Sequence, residues 1–376
     1  MTHLLVIGLS VAFVYFAIQL VAWTALFLKS GKPEKRWKEW PQVSLLLAAR
    51  NEEKLILRSL ESIANLEYPA DKLQVIIGDD CSEDQTPLLI KQFIDNRPNF
   101  KLIRITENLG KGRGKANVLA HLAHEANGEF FFITDVDVQL PRPWIKGLLS
   151  QFDERVGIVS GTTMCEGGNN FETMQAIDWL HFMGYIKSFA NLGISCTSVG
   201  NNMAVRAEAY WQTGGYEKMD FSITEDYRLF KEVTKNGWEW RNVLAAGSLG
   251  RAKAIETITE MLHQRKRWLI GAKELPWNWK ILILLYGLFL PLIWVMLVFY
   301  PVYALSLWGF KFVIQCGFIS SLCKKAGVKS FSLKDLFLYE IYVDLNTVVT
   351  TIFYLLPFKT VWKGRKYEAN DLVEFS

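Results

Sequence analysis

Phe130-Phe131-Phe132-Ile133-Thr134-Asp135-Val136-Asp137 is an aromatic and β-branched run that ends abruptly in two carboxylates. Such a run, too short for a helix and apolar throughout, reads as a strand covered on both faces. Upstream the same kind of run recurs at residues 43–48, 73–77 and 101–106. Between these runs, residues 51–65, 86–96 and 114–127 carry helical spacing, with Leu55, Leu57, Leu60, Ile63 and Ala64 marking the first. Alternating strand and helix predicts an α/β fold with a parallel, doubly wound sheet. Sheets of this kind bind ligands at the carboxyl ends of their strands, where strand order switches.

The residues just past those strand ends are polar and mostly acidic: Ala49-Arg50-Asn51-Glu52-Glu53, Gly78-Asp79-Asp80-Cys81-Ser82 and Asp135-Val136-Asp137. Ser82 and Asp84 also suit the start of a helix, because short polar side chains cap orphan amides. Three acidic ends on one edge exceed what capping requires. Asp135 and Asp137 would repel each other if left alone. Mg2+ or Mn2+, hard cations that prefer oxygen, would remove that cost and bridge to phosphates. Asn108-Leu109-Gly110-Lys111-Gly112-Arg113-Gly114-Lys115 is a glycine-rich basic loop opening a helix, suited to a diphosphate or, alternatively, a plain exposed turn. Its spacing fits neither the P-loop nor the dinucleotide fingerprint.

Thr224-Glu225-Asp226 starts a helix and reads either as a cap or as a source of a catalytic carboxylate. Gln264, Arg267 and Trp268 stand at i, i+3 and i+4, hence on one helical face. Ile255, Ile258, Met261, Leu262 and Leu269 give the same segment an apolar stripe, the pattern of a helix lying on a membrane surface.

Residues 4–28 carry no formal charge, and as a helix they span roughly 37 Å at about 1.5 Å per residue, more than a hydrocarbon core. They read as a retained anchor. Lys29, Lys32, Lys35, Arg36 and Lys38 follow, and the positive-inside bias puts that flank in the cytoplasm. Further apolar blocks cover 281–322, interrupted by Pro291, Pro301 and Lys311, and 333–358, which contains Asp335, Glu340 and Asp344. A basic tail with Lys359, Lys363, Arg365 and Lys366 again reads as cytoplasmic, so an even number of crossings must follow residue 280. One crossing per block satisfies this; so does a hairpin plus a re-entrant last block. Glu340 and Asp344 are expensive at bilayer depth unless they face protein or water.

The expected layout is an anchor at 1–28, a basic linker at 29–42, a catalytic domain at 43–254, and an interfacial helix region at 255–280. A membrane region of two or three segments at 281–358 and a tail at 359–376 complete it. Half of the 376 residues are hydrophobic and 14% aromatic, and mean hydropathy is +0.12. That composition excludes disorder. A net charge of +4, from 42 Lys+Arg against 38 Asp+Glu, is too balanced for a general nucleic-acid binder. Five cysteines without a C-x-x-C pair speak against a disulfide framework.

Taken in order, Ala49-Arg50-Asn51-Glu52, Asp79-Asp80, Gly110 to Lys115, Asp135-x-Asp137, Thr224-Glu225-Asp226 and Gln264-x-x-Arg267-Trp268 resemble family 2 glycosyltransferases of the GT-A, Rossmann-like fold. The likeness is to the membrane-bound branch of ceramide, carotenoid and diacylglycerol glycosyltransferases and polysaccharide synthases. It implies that Asp80 contacts the nucleotide base, with Arg50 and Glu52 around the nucleoside and Lys115 near the donor. It implies that Asp135 and Asp137 hold the metal, that Asp226 is the base of an inverting transfer, and that Gln264, Arg267 and Trp268 lie near the diphosphate and acceptor. The segment Gly200 to Arg206 resembles an acceptor-side pocket lining. The implied partners are a nucleotide-sugar donor, in particular a UDP-sugar, and a lipid acceptor. The implied setting is the cell inner membrane, with the catalytic domain cytoplasmic. A processive polysaccharide synthase and an inactive membrane-anchored nucleotide-binding scaffold are the alternatives.

Overall fold

A computed structural model describes residues 2–28, 37–195, 197–362 and 365–367. Lys29, Lys32, Lys35, Arg36, Cys196, Lys363 and the tail past residue 367 lie outside the described residues. The chain divides into two compact units.

The first carries the sheets. Its strands are β1 (Val43–Ala49), β2 (Leu73–Asp79), β3 (Phe100–Arg104), β4 (Phe130–Asp135), β5 (Val138–Gln139), β6 (Val156–Ser160), β7 (Thr163–Cys165), β8 (Asn202–Arg206), β9 (Glu239–Asn242) and β10 (Gly250–Ala252). Its helices are α2 (Ile56–Ala64), α3 (Thr86–Ile94), α4 (Gly114–Glu125), α5 (Trp144–Leu149), α7 (Ala207–Gln212), α8 (Gly215–Lys218) and α9 (Glu225–Lys235). A short hairpin, β11 (Thr360–Trp362) with β12 (Arg365–Tyr367), is grouped with it.

Seven strands form the main sheet in the order β3-β2-β1-β4-β8-β6-β9. β1, β2, β3 and β4 are parallel, as the alternating pattern requires. β8 then runs antiparallel between β4 and β6, so the sheet is mixed and the expectation of a wholly parallel one is corrected. The physical reason lies in the connection: β8 is not fed by a strand-helix-strand crossover, the unit that enforces parallel pairing. The switch in direction falls beside β4, the strand that ends in Asp135. Register aligns Ala49 with Asp79 and Ala48 with Asp135, so the acidic ends of β2 and β4 share one edge of the sheet, one strand apart. A smaller sheet, β5-β10-β7, continues past that edge.

Burial explains the sequence pattern. β1, β2 and β4 are almost wholly inaccessible, which accounts for their continuous apolar runs. α2 buries Ile56, Ser59, Leu60 and Ile63, one stripe of its surface. Trp144, fully buried, donates its indole N–H to Asn202 Oδ1 at 2.8 Å, tying α5 to β8.

The second unit is helical: α1 (Thr2–Ala25), α6 (Asn170–Asn191), α10 (Ile258–Gly271), α11 (Trp277–Phe299), α12 (Pro301–Ala326) and α13 (Leu333–Leu355). α6 therefore packs with helices distant in sequence, although its residues fall inside the stretch read as one catalytic domain. It begins with a capping box in which Glu172 N donates to Asn169 Oδ1 and Asn169 N to Glu172 Oε2. α1, α11, α12 and α13 are each long and apolar enough to cross a membrane. The block at 281–322 is two helices broken at Tyr300, where Pro301 removes a donor. Tyr15 of α1 stacks on Phe289 of α11 with centroids 4.0 Å apart. Glu340 of α13 is fully buried and is bonded by Lys311 and Gln315 of α12, which removes the cost of its charge.

Candidate active site

The loops after β1 and β2 are stitched together reciprocally. Asn51 N donates to Ser82 Oγ at 3.0 Å and Glu83 N to Asn51 Oδ1 at 2.9 Å. Glu53 N donates to Asp84 Oδ2 at 3.1 Å and Gln85 N to Glu53 Oε2 at 3.1 Å. Ser82 and Asp84 thus do more than start a helix: they join two strand ends into one wall. Burial works to raise the Asp84 carboxyl, but the hydrogen bonds from Thr86 and Glu53 prevail and hold it below its usual range. Asn51 and Cys81 both adopt left-handed backbone, at φ 51° and 52°. For Cys81 this is strained, and such strain concentrates at functional sites.

Arg50 Nη1 donates to the Asp80 carbonyl at 2.5 Å, and Arg50 Nη2 lies 3.7 Å from Glu83. Its guanidinium therefore braces the loop that presents Asp80. Glu52 is buried within the stitched wall, its amide donating to Thr86 Oγ1 at 2.7 Å.

The glycine-rich loop is held at both ends. Leu109 N donates to Asn117 Oδ1 at 2.7 Å and Lys111 N to the Glu217 carbonyl at 2.8 Å. Gly110, at φ 56°, lies so close to that carbonyl that a Cβ would collide with it. The loop ends at Lys115, in the first turn of α4. Lys115 Nζ lies 2.5 Å from Asp135 Oδ1 and 2.9 Å from Glu225 Oε1. Burial works against its charge, but the two carboxylates outweigh burial and hold the ammonium well above its usual pKa. A cation thus already sits between the acid at the end of β4 and the acid at the start of α9.

Asp226 is the next residue. Its Oδ2 accepts the Gly200 amide at 2.7 Å, its Oδ1 accepts its neighbour Tyr227 N at 2.8 Å, and its carbonyl accepts Ser198 Oγ at 2.8 Å. Burial first, then the charge of Glu225, push its carboxyl up to about 6, with Lys115 and the amides opposing. A carboxylate tuned toward neutrality is the form a general base takes. The capping alternative is corrected for Thr224, which makes no side-chain cap and whose hydroxyl meets Ser222 Oγ at 3.2 Å instead; Glu225 and Asp226 do stand in the first turn, where acids meet the helix dipole. Asp226 turns toward Gly200, away from the helix's own first amides apart from that of Tyr227.

Asp137 stands in the turn between β4 and β5, and its carbonyl accepts Lys253 N at 3.0 Å. Among the described residues no group of three or more His, Cys, Asp or Glu gathers as a metal cage. Asp135 and Asp137 nonetheless fit a hard cation that takes one or two carboxylates and completes its shell with phosphate and water.

The unit therefore brings Lys115, Asp135 and Asp226 together, with Arg50, Glu52 and Asp80 in the wall built on the same sheet edge. Gln264, Arg267 and Trp268 fall on α10, in the helical unit. Within Gly200 to Arg206, Gly200 touches the site acid. Asn202 instead is core, its amide donating to the carbonyls of Thr162 and Ser248 at 2.8 and 2.9 Å. Three residues have roles that the motif reading does not assign. Glu225 pairs with Lys115; the Gly200 amide holds Asp226; and the Tyr216 hydroxyl is buried without a hydrogen-bond partner. Burial and the nearby Glu225 hold the Tyr216 phenol well above its usual pKa. The Gly214-Gly215 turn before Tyr216 adopts left-handed backbone, at φ 84° and 70°.

A mixed α/β sheet with acidic strand ends and this site is the GT-A arrangement of a glycosyltransferase. Its likeness in fold extends to the mannosyltransferase PcManGT from Pyrobaculum calidifontis, solved in complex with GDP-Man and Mn2+: TM-score 0.58, 19% identity, covering 94% of this chain and 99% of that one. Residues 4–372 match Glycosyl transferase family 21, and the chain belongs to that family. The motifs by themselves resemble family 2; the match assigns family 21. The chain is similar to a probable glycosyltransferase, YdaM, of Bacillus subtilis (30% identity, 64% of this chain, 57% of the relative). It is also similar to the beta-monoglucosyldiacylglycerol synthase of Synechocystis sp. (25%, 64% and 50%) and the poly-beta-1,6-N-acetyl-D-glucosamine synthase of Staphylococcus epidermidis (27%, 62% and 55%). The chain spans about half the length of the curated relatives it matches.

Proposed function

We propose that this chain is an inverting, metal-dependent glycosyltransferase that moves a sugar from a UDP-sugar to a membrane lipid at the cytoplasmic face. The observation that carries the reading is Asp226, a carboxylate raised to about 6 and held by the Gly200 amide beside the Lys115–Asp135–Glu225 cluster.

Asp226 takes the proton from the acceptor hydroxyl as its oxygen bonds to the anomeric carbon. The bond from that carbon to the diphosphate breaks, and the nucleoside diphosphate leaves from the opposite face with inversion. Asp80, with Arg50 and Glu52 behind it, receives the nucleotide. Lys115, between Asp135 and Glu225, offsets part of the acids' charge on the donor side of the site. Gln264, Arg267 and Trp268 serve the diphosphate and acceptor side. Mg2+ or Mn2+ held by Asp135 and Asp137 would neutralise charge on the leaving group.

The domain layout proposed is a catalytic unit within 43–254, α10 as an interfacial helix, and membrane helices on either side in sequence. Contacts within the helical unit support a hairpin of α11 and α12 that starts beside the end of α6 and finishes beside the end of α1. Trp279, at the start of α11, donates to the Ser195 carbonyl at 2.7 Å, and Lys325, at the end of α12, donates to the Leu26 carbonyl just past α1 at 2.6 Å. α11 and α12 then form the paired crossings, while α13 lies against α6 and α10 with Glu340 turned to α12. The similarity to a glucosyldiacylglycerol synthase favours a lipid acceptor; the similarity to a polysaccharide synthase keeps a polymer as the second product class.

The test is transfer by the purified full chain in lipid nanodiscs, offered UDP-glucose, UDP-galactose, UDP-N-acetylglucosamine or GDP-mannose with Mn2+. Lipid mass spectrometry reads the product. One added hexose or hexosamine on a lipid supports the reading. A ladder of sugars supports a polymerase, and nucleotide binding without transfer or hydrolysis supports the scaffold.

A further inference from the structure

Trp268 does not stand alone on α10. The Arg265 guanidinium lies over its ring with 4.4 Å from Cζ to the centroid, and the Trp179 ring meets it edge to face at 5.3 Å and 73°. Arg265 is in turn anchored: its Nη2 lies 2.5 Å from Asp178 Oδ2. The other oxygen, Asp178 Oδ1, accepts the Tyr339 hydroxyl of α13 at 3.2 Å, and that hydroxyl lies 3.1 Å from His181 Nδ1. Arg265 and Asp178 side chains are only 13% and 17% exposed, so water does little to loosen the pair.

We propose that Asp178 and Trp179 of α6 are positioning residues for the transfer, acting through Arg265 to fix the indole of Trp268 and the rotation of α10. At about 100° per residue along a helix, Arg265 and Trp268 lie side by side, and Gln264 and Arg267 follow on the adjoining face. Pinning the first pair from α6 therefore sets where the second pair points. Three helices far apart in sequence meet at this pin: α6 supplies the carboxylate, α10 the cation, and α13 the hydroxyl that fixes the carboxylate's second oxygen. A cation on one face of the Trp268 ring and a ring edge beside it both restrict its rotation. None of the α6 and α13 residues belongs to the motif.

This inference rests on the proposed role of Gln264, Arg267 and Trp268 in transfer, so the experiment separates the two. The full chain in nanodiscs is assayed with the UDP-sugar that the wild type turns over, comparing Asp178→Asn, Asp178→Glu, Trp179→Ala, Trp268→Ala and the double variant Asp178→Asn/Trp268→Ala. Asp178→Asn is expected to lower kcat at least tenfold with the donor KM changed less than threefold. Asp178→Glu should recover most of that loss. The double variant should fall short of the product of the two single losses, because the two changes act in part through one ring. Near-ultraviolet circular dichroism gives a readout apart from turnover: Asp178→Asn and Trp179→Ala should both remove the signal that Trp268→Ala removes. If Trp268→Ala is inactive while Asp178→Asn keeps kcat within twofold, or if the two losses multiply in full, the positioning role is overturned and the motif's role stands. If Trp268→Ala itself keeps full turnover, both fall. Should Asp178→Asn fail to fold, Asp178→Glu and Trp179→Ala decide by the same criteria.

Discussion

The Gly200 amide donates to Asp226 Oδ2 at 2.7 Å and the Tyr227 amide to its Oδ1 at 2.8 Å, so backbone N–H groups hold both carboxylate oxygens. A base held this way meets its substrate without first finding its rotamer. Asp226→Asn keeps the shape and removes the basicity. Transfer should fall by about 10²–10⁴-fold, the usual weight of a general base, while UDP affinity measured by calorimetry stays within a few-fold of wild type. Near-normal transfer would end the base assignment.

Gly200 also has little room. A Cβ there would lie 2.8 Å from Asp226 Cβ and 3.1 Å from its Oδ2. Gly200→Ala should push the carboxylate aside and lower kcat about tenfold or more, in line with the sensitivity of transfer to small misplacements. Stopped assays with saturating donor read this directly; an unchanged kcat would mean that the amide contact is dispensable.

The pH dependence follows from the raised carboxyl. Asp226 must be ionised to act, so log kcat/KM should rise with pH and level off above about 6. Lys115 opposes that rise in pKa, so Lys115→Met should move the acid limb to higher pH as well as weaken donor binding. Stability moves the other way. The folded Asp226 binds its proton more tightly than the unfolded chain does, so its contribution is favourable below the unfolded value of 3.8 and is lost as pH rises through about 6. A flat kcat/KM profile between pH 5 and 7 in the wild type would refute the tuning.

Asp137 and Asp135 offer two carboxylates at one turn. Asp137→Ala should abolish the Mn2+ dependence of UDP binding, leaving a residual affinity equal to that of the wild type in EDTA. Unchanged Mn2+-dependent affinity would remove Asp137 from the metal site.

Lys311 and Glu340 are a buried ion pair shared with Gln315. Lys311→Leu strands the Glu340 charge and should cost about 3–5 kcal/mol, the range for breaking such a pair. Adding Glu340→Leu should restore much of it, because the stranded charge is gone. Melting of the detergent-solubilised chain followed by intrinsic fluorescence tests both; equal melting temperatures for wild type and Lys311→Leu would show the pair to be inert.

How much was legible in the sequence depends on range. Strands β1 to β4, their helices and the acidic ends of β1, β2 and β4 follow from local pattern, because apolar period and turn chemistry act over a few residues. Arg50, Asp80, Lys115, Asp135 and Asp226 are readable as candidates for the same reason: each ends a strand or starts a helix. The antiparallel β8 is not readable, since pairing direction depends on the route of the chain between strands.

What the sequence determined alone is the alternation, the membrane-length helices and the chemical types gathered near the strand ends. What only the tertiary structure decided is which partner each charge takes. Lys115 could serve any acid; folding gives it Asp135 and Glu225. Arg265 looks like one more basic residue on a membrane-surface helix; folding gives it Asp178, from a helix that lies inside the catalytic stretch in sequence and outside it in packing. The physical reason is that secondary structure is set by neighbours along the chain, whereas the energy of a charge is set by whatever residues, near or far in sequence, exclude water around it.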